Sequence, residues 1–201
     1  MYNLNMKKIY SQKDYYSRKA REENYPARSV YKLEEIDKKY DLIKEKDKVL
    51  DLGCAPGSWL MYIARKIGPE GKVVGVDFVD LKIKLPQNVL FLKEDVMSFV
   101  PQDGREKYDA VVSDLSPSTS GIDFVDVERS LEYCERALEI AQRVLNKDGN
   151  FVCKIFEGEG TDEFLKKVKQ NFELAKKFKP KASRKWSREI YIVGINYEST
   201  N

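Results

Sequence analysis

From Lys48 onward, short apolar runs alternate with amphipathic stretches, and this alternation constrains the fold more than any other feature. KVLDLG, KVVGVDF, NVLFLKED, YDAVVSDL, NFVCKIF and EIYIVGINY have the length and β-branched content of strands. SWLMYIARKIG, TDEFLKKVKQNF and a long segment at about 126–146 stopped by Asp148-Gly149 have helical spacing. Strands separated by helices give an α/β fold, a mainly parallel sheet with helices on both faces, whose ligands lie at the carboxyl ends of the strands. Ahead of this pattern, Val30, Leu33, Ile36 and Tyr40 are spaced as one helix face behind Pro26, which predicts a helix over 26–40. Residues 1–25 are polar, basic and tyrosine-rich with weak periodicity; they read as an N-terminal extension, mobile without a partner, on a single domain at 26–201.

The chain has 201 residues and no histidine, which excludes Ser-His-Asp and Cys-His catalysis and His-ligated metals. Acid–base chemistry falls to Lys, Asp, Glu or Tyr. Cys54, Cys134 and Cys153 are widely spaced without a CxxC, so they read as buried, reduced thiols rather than a disulfide or metal framework. No stretch approaches the roughly 18 apolar residues of a membrane span, and the N-terminus lacks a signal-peptide core. The expectation is a cytoplasmic monomer with no membrane partner.

Charge is unevenly distributed. Residues 1–48 carry 13 basic and 9 acidic groups, 49–153 carry 12 and 17, and 154–201 carry 11 and 7. Within 166–188 there are ten basic groups and one acidic, with Phe172, Phe178 and Trp186 interleaved. Basic ends with aromatics suit a polyanion; a solvated lysine-rich helix followed by a loop explains the same run.

The segment from Val49 to Trp59, VLDLGCAPGSW, is a strand entering a glycine-bracketed turn and then a helix. Gly53 and Gly57 let the backbone approach a nucleotide-like ligand, while Asp51 orients the loop or accepts from a cationic ligand group. The GxxxG spacing, with Pro56 inside, departs from the GxGxxG of pyrophosphate-binding loops and disfavours a nicotinamide dehydrogenase. Asp77 ends the next strand 24 residues after Gly53, where a carboxylate accepts from ribose hydroxyls. Asp95, after the third strand, is placed to accept from an adenine amino group.

RSVYKLEEID at 28–37, DLGCAPGSW at 51–59, GVDF at 75–78, ED at 94–95, SDLSPSTSG at 113–121, VCKIFEGEG at 152–160 and SRKWSREIYIV at 183–193 together resemble the FtsJ family of class I S-adenosylmethionine-dependent RNA ribose 2'-O-methyltransferases. The resemblance covers nearly the whole chain. It implies a Rossmann-like, seven-stranded sheet of order 3-2-1-4-5-7-6 with strand 7 antiparallel. It also implies a catalytic tetrad of Lys32, Asp114, Lys154 and Glu189, and S-adenosylmethionine held by Asp51, Gly53, Pro56, Gly57, Trp59, Asp77, Phe78, Asp95 and Asp114. The implied substrate is structured RNA, foremost a uridine of 23S-type large-subunit ribosomal RNA, naked or in a ribosomal subunit; a tRNA anticodon loop is the near alternative. Ser118 stands where the family's motif carries Asn.

Independently of any family, Lys154 is a lone cation inside the apolar run FVCKIF and needs a carboxylate partner, from Asp114 or Glu189. A ribose hydroxyl must be aligned with an electrophilic methyl, deprotonated and kept from water, which no metal is needed to do. Lys154 is assigned as base, Lys32 as its cationic neighbour and RNA contact, Asp114 as the group orienting the amine, and Glu189 as the group fixing hydroxyl and lysines. Tyr10, Tyr15, Tyr16 and Trp186 are candidates to stack a splayed base. A small-molecule or protein methyltransferase would keep the glycine loop without needing Lys32, Lys154 and Glu189 together; an RNA-binding protein without catalysis would not need the tetrad.

Overall fold

In a computed structural model, residues 15–101, 107–118, 120–184 and 186–198 are described. Helix α1 occupies 15–22 and α2 spans Val30–Tyr40; then follow β1 (Lys48–Leu52), α3 (Ser58–Ile67), β2 (Lys72–Asp77), β3 (Val89–Lys93) and β4 (Tyr108–Ser113). After them come α4 (Asp123–Val144), β5 (Leu145–Phe156), α5 (Thr161–Lys169), β6 (Phe172–Phe178) and β7 (Glu189–Tyr197). The strands form a seven-stranded sheet of order β3-β2-β1-β4-β5-β7-β6, parallel except for β7, which runs antiparallel to both neighbours. This is the order the resemblance implied.

Two cores cover the two faces, and strand alternation sorts the side chains between them. Leu50, Leu52, Val111, Phe151, Cys153 and Ile155 pack with Cys134, Ala137 and Ala141 of α4 and Phe164 and Val168 of α5. Val49, Val73, Ala110, Val112, Val152 and Tyr191 pack with Leu33 and Ile36 of α2 and Leu60 and Ile63 of α3. Burying each Val, Leu, Ile or Phe among these stabilises the fold by about 1.5–3 kcal/mol before ordering costs, which is why the central strands read as continuous apolar runs. All three cysteines are buried and free. No helix among the described residues is long and apolar enough to cross a membrane.

The structure differs from the sequence expectations at four places. Helix α2 begins at Val30 rather than Pro26, because the preceding turn docks elsewhere: Ala27 N donates to Ser58 Oγ at 2.7 Å and Arg28 Nη2 to Ala182 O at 2.6 Å. The expected extension is not all separate from the body, since Ala20 is buried with Val30, Tyr31 and Ala182, and Tyr16 packs on Tyr31 at 5.4 Å; residues 1–14, with Tyr10, lie outside the described residues. Helix α4 ends at Val144, not at Asp148-Gly149, which falls in an irregularity of β5 where pairing with β4 shifts between Tyr108–Leu145 and Ala110–Asn150. The lysine-rich run after α5 is strand β6, and Phe172 is no polyanion-facing aromatic: it is 2% exposed, stacked 5.9 Å from Phe151.

Candidate active site

The carboxyl ends of β1, β2 and β4 and the start of β7 bring the expected residues to one edge of the sheet. Ser113 of β4 pairs with Cys153, so Asp114, one residue on, lies beside Lys154. Lys154 pairs with Tyr191 and Phe156 with Glu189 in the antiparallel β5–β7 ladder, which puts Lys154, Tyr191 and Glu189 on the same face as Val152 and helix α2. Lys32 enters from α2, on that face.

The four tetrad residues form two ion pairs. Lys154, 7% exposed, donates from Nζ to the Asp114 backbone carbonyl at 2.6 Å and lies 3.1 Å from its Oδ1. Lys32 donates from Nζ to Glu189 Oε2 at 2.7 Å. Two further hydroxyls complete the set: Tyr191 donates to Asp114 Oδ1 at 2.8 Å, and Ser183 to Glu189 Oε1 at 2.8 Å. Burial, reinforced by the nearby Asp114 and Glu189 charges, pushes the Tyr191 phenol well up, so it remains a donor. Tyr191 and Ser183 were not singled out from the sequence. Tyr191 is two residues beyond Glu189 in one strand, a spacing that places both on the same face. Ser183 has no comparable signal.

The glycine loop is built as its sequence suggests. Gly53 has φ +76°, and a Cβ there would meet Leu115 Cδ2 at 2.6 Å; Gly57 has φ +103° and precedes α3. Asp77, 7% exposed, closes the loop by accepting from Ala55 N at 2.9 Å and Val79 N at 2.8 Å, each oxygen keeping a lone pair for a ligand hydroxyl. Pro56 lies inside this loop and Phe78, 69% exposed, projects beside Asp77. The Trp59 indole faces the core instead: its Nε1 donates to Ser29 O at 3.0 Å and its ring packs 5.9 Å from Tyr191, leaving only its backbone N–H, in the first turn of α3, for a ligand. Asp95 is exposed and caps its own turn through Met97 N at 3.0 Å. Ser118 is exposed, and its loop is held through Ser120, whose N and Oγ donate to Asp126 Oδ1 at 2.7 and 2.8 Å.

Asp51 is the most unusual group. It is fully buried, and neither carboxylate oxygen has a hydrogen-bond partner among the described residues. Burial first, then the Asp114 and Asp77 carboxylates, raise its pKa well above the ordinary value. Three carboxylates converging where one is unsatisfied is an environment that a cation relieves. A sulfonium and ammonium carried on a nucleoside, as in S-adenosylmethionine, fit that donor set and the ribose-facing Asp77.

Residues 25–197 match the family described as FtsJ-like methyltransferase. The chain is 48% identical to Ribosomal RNA large subunit methyltransferase E of Desulforapulum autotrophicum over 185 residues, 90% of this chain and 91% of the relative. It is 42% identical to the protein of the same name from Bdellovibrio bacteriovorus over 193 residues, 93% and 98% of the two chains. Among solved structures, a presumptive ribosomal RNA methyltransferase from Plasmodium falciparum is similar with a TM-score of 0.76 at 27% identity, covering 86% of this chain and 98% of that one.

Proposed function

Because the chain belongs to the FtsJ-like methyltransferase family, we propose that it transfers a methyl group from S-adenosylmethionine to a ribose 2'-hydroxyl of large-subunit ribosomal RNA, in the cytoplasm where that RNA is assembled. The observation that carries this reading is the placement of Lys154, a nearly buried amine held by Asp114 beside a second, independently paired lysine.

S-adenosylmethionine, when bound, supplies an electrophilic methyl group whose C–S electron pair stays with sulfur on transfer. Asp51, Asp77, Phe78, Asp95 and the Gly53–Gly57 loop, with Pro56 and the Trp59 backbone, would hold it. Asp114 fixes the Lys154 amine at two points, its carbonyl and Oδ1. In its neutral form the Lys154 amine, held through a hydrogen bond to the Asp114 carbonyl, keeps a lone pair that takes the proton of the incoming 2'-hydroxyl as the O–C bond forms. The Lys32–Glu189 pair, held on its far side by Ser183, fixes the hydroxyl beside that amine and presents a cation to the RNA. Trp59 supports this arrangement from behind, through Tyr191 to Asp114.

The test supplies purified protein and methyl-labelled S-adenosylmethionine to large ribosomal subunits, naked ribosomal RNA and tRNA from cells lacking the enzyme. Label in a 2'-O-methyl nucleotide of large-subunit RNA is expected. General-base catalysis contributes about 10²–10⁴-fold, so Lys154→Ala and Lys154→Arg are expected to lose that much rate while still binding cofactor in equilibrium dialysis. Label in tRNA alone would move the substrate, and no label in any RNA would overturn the reading.

A further inference from the structure

Three large apolar side chains near the tetrad are turned to solvent: Ile122 at 61%, Phe124 at 62% and Trp186 at 59% exposure. One ion pair ties together the two segments that carry them. Arg188 Nη2 lies 2.7 Å from Asp123 Oδ2; Asp123 separates Ile122 from Phe124, and Trp186 is two residues before Arg188. Arg188 is followed directly by Glu189, and Ile122 ends the loop that begins at Asp114. The apolar group therefore spans the two sides of the site, one from the β4 loop and one from the approach to β7.

The backbone under Trp186 is braced. Ser187 N donates to Arg184 O at 3.0 Å, Lys179 Nζ to Ser187 O at 2.8 Å and Glu157 N to Arg188 O at 2.8 Å. A bulky ring on a fixed turn offers a flat face at little conformational cost. On the Trp186 side the surroundings are cationic: Lys179, Lys181, Arg184 and Arg188 are exposed on the same segment, which suits a polyanion more than an apolar protein surface.

Lys154 is nearly buried, so a ribose that reaches it must be drawn out of its helix or stack, and the neighbouring bases lose a stacking partner. We infer that Trp186 and Phe124, with Ile122 beside it, form a stacking platform for the unstacked bases flanking the modified nucleotide. This rests on the RNA methyltransferase reading above. Stacking on an aromatic face is sequence-tolerant, so the platform orders the strand at the site, while lysines and arginines hold its phosphates.

The test uses the full chain and in vitro transcribed large-subunit ribosomal RNA. Trp186→Ala and Phe124→Ala are each expected to raise the KM for RNA about tenfold, the scale of one lost base stack, with kcat and cofactor affinity near those of the unaltered protein. Trp186→Phe restores most of the loss. The salt dependence of KM keeps its slope, because no phosphate contact is removed. The chain has two tryptophans and Trp59 is 2% exposed, so quenching of emission by RNA, lost in Trp186→Phe, reports stacking on Trp186. RNA that is methylated with unchanged KM in both alanine variants and leaves the emission unquenched would overturn the platform while preserving the methyltransferase reading. No methyl transfer to any RNA by the unaltered protein would overturn that reading, and the platform with it.

Discussion

Asp51→Asn isolates the electrostatics of the proposed cofactor cleft. Asp51 is buried with both oxygens unpaired among the described residues, and burial together with Asp114 and Asp77 raises its pKa well above the usual carboxylate value. A raised pKa means that the folded state binds this proton more tightly than the unfolded chain. Stability therefore falls as pH climbs above the unfolded value of about 3.9, by about 1.36 kcal/mol for each step of one in pH, and levels off once the folded-state value is passed. Asn has nearly the same shape and no charge, so it removes the part of this penalty that the charge carries. Relieving a buried, unsatisfied charge of this kind stabilises by about 2 kcal/mol, which in a domain of this size raises Tm by about 4–8 °C. The gain should vanish below about pH 4, where Asp51 is protonated in both states.

Cofactor binding should respond in the opposite direction. A cation beside Asp51 favours its ionised form, so S-adenosylmethionine binding releases a proton within the window of raised pKa and tightens with rising pH there. Asp51→Asn should bind the cofactor more weakly and without that proton release. Thermal melts from pH 4 to 8 and titration calorimetry in buffers of different ionisation enthalpy measure both effects. An Asp51→Asn protein that is less stable than its parent at every pH, with unchanged cofactor affinity and proton release, would refute the reasoning.

Gly53→Ala forces a side chain onto a φ of +76° and sets its Cβ 2.6 Å from Leu115 Cδ2, next to Asp114; a left-handed Ala alone costs about 1–2 kcal/mol, so Tm should fall by several degrees and cofactor affinity should drop, measured by melts with and without ligand. Tyr191→Phe removes the donor to Asp114 Oδ1 at 2.8 Å, costing about 1 kcal/mol of stability, with a lower kcat at unchanged cofactor affinity. Because the phenol's pKa is already raised by burial, the alkaline limb of the rate profile should be the same in Tyr191→Phe as in the parent.

The central strands and the glycine loop were legible in the sequence, because buried parallel strands leave continuous apolar runs, and Lys154 stood out as an isolated lysine within one; Lys32, Asp114 and Glu189 were picked out only by the family resemblance, since nothing in their own segments marks them. Strand β6 was not read from its own residues: FELAKKF buries Phe172 and Ala175 out of strict alternation, and its lysines resemble a solvated helix. The end of α4 was misplaced because Asp148, at φ +64°, and Gly149 serve the irregularity in β5, where the same residue types are favoured as at a helix stop. Trp59 looked like a cofactor contact and its side chain is a core residue, since nothing in a helix's first turn says which way a ring will face. Helix α1 was missed because its packing partners, Val30, Tyr31 and Ala182, lie elsewhere in the chain.

The antiparallel pairing of β5 with β7 has an evolutionary consequence. Lys154 and Glu189 sit two rungs apart on one hydrogen-bonded ladder, so their separation is inherited from peptide geometry rather than from the connections between the strands. Those connections, through α5 and β6, can change in length and charge without altering the spacing of Lys154 and Glu189 along the ladder. A one-residue insertion between Glu189 and Tyr191 has no such freedom: it would turn Glu189 to the opposite side of the sheet and part it from Lys32. On the proposed reading, the connections are left free to answer to RNA while the pair that meets the ribose hydroxyl is held by the sheet.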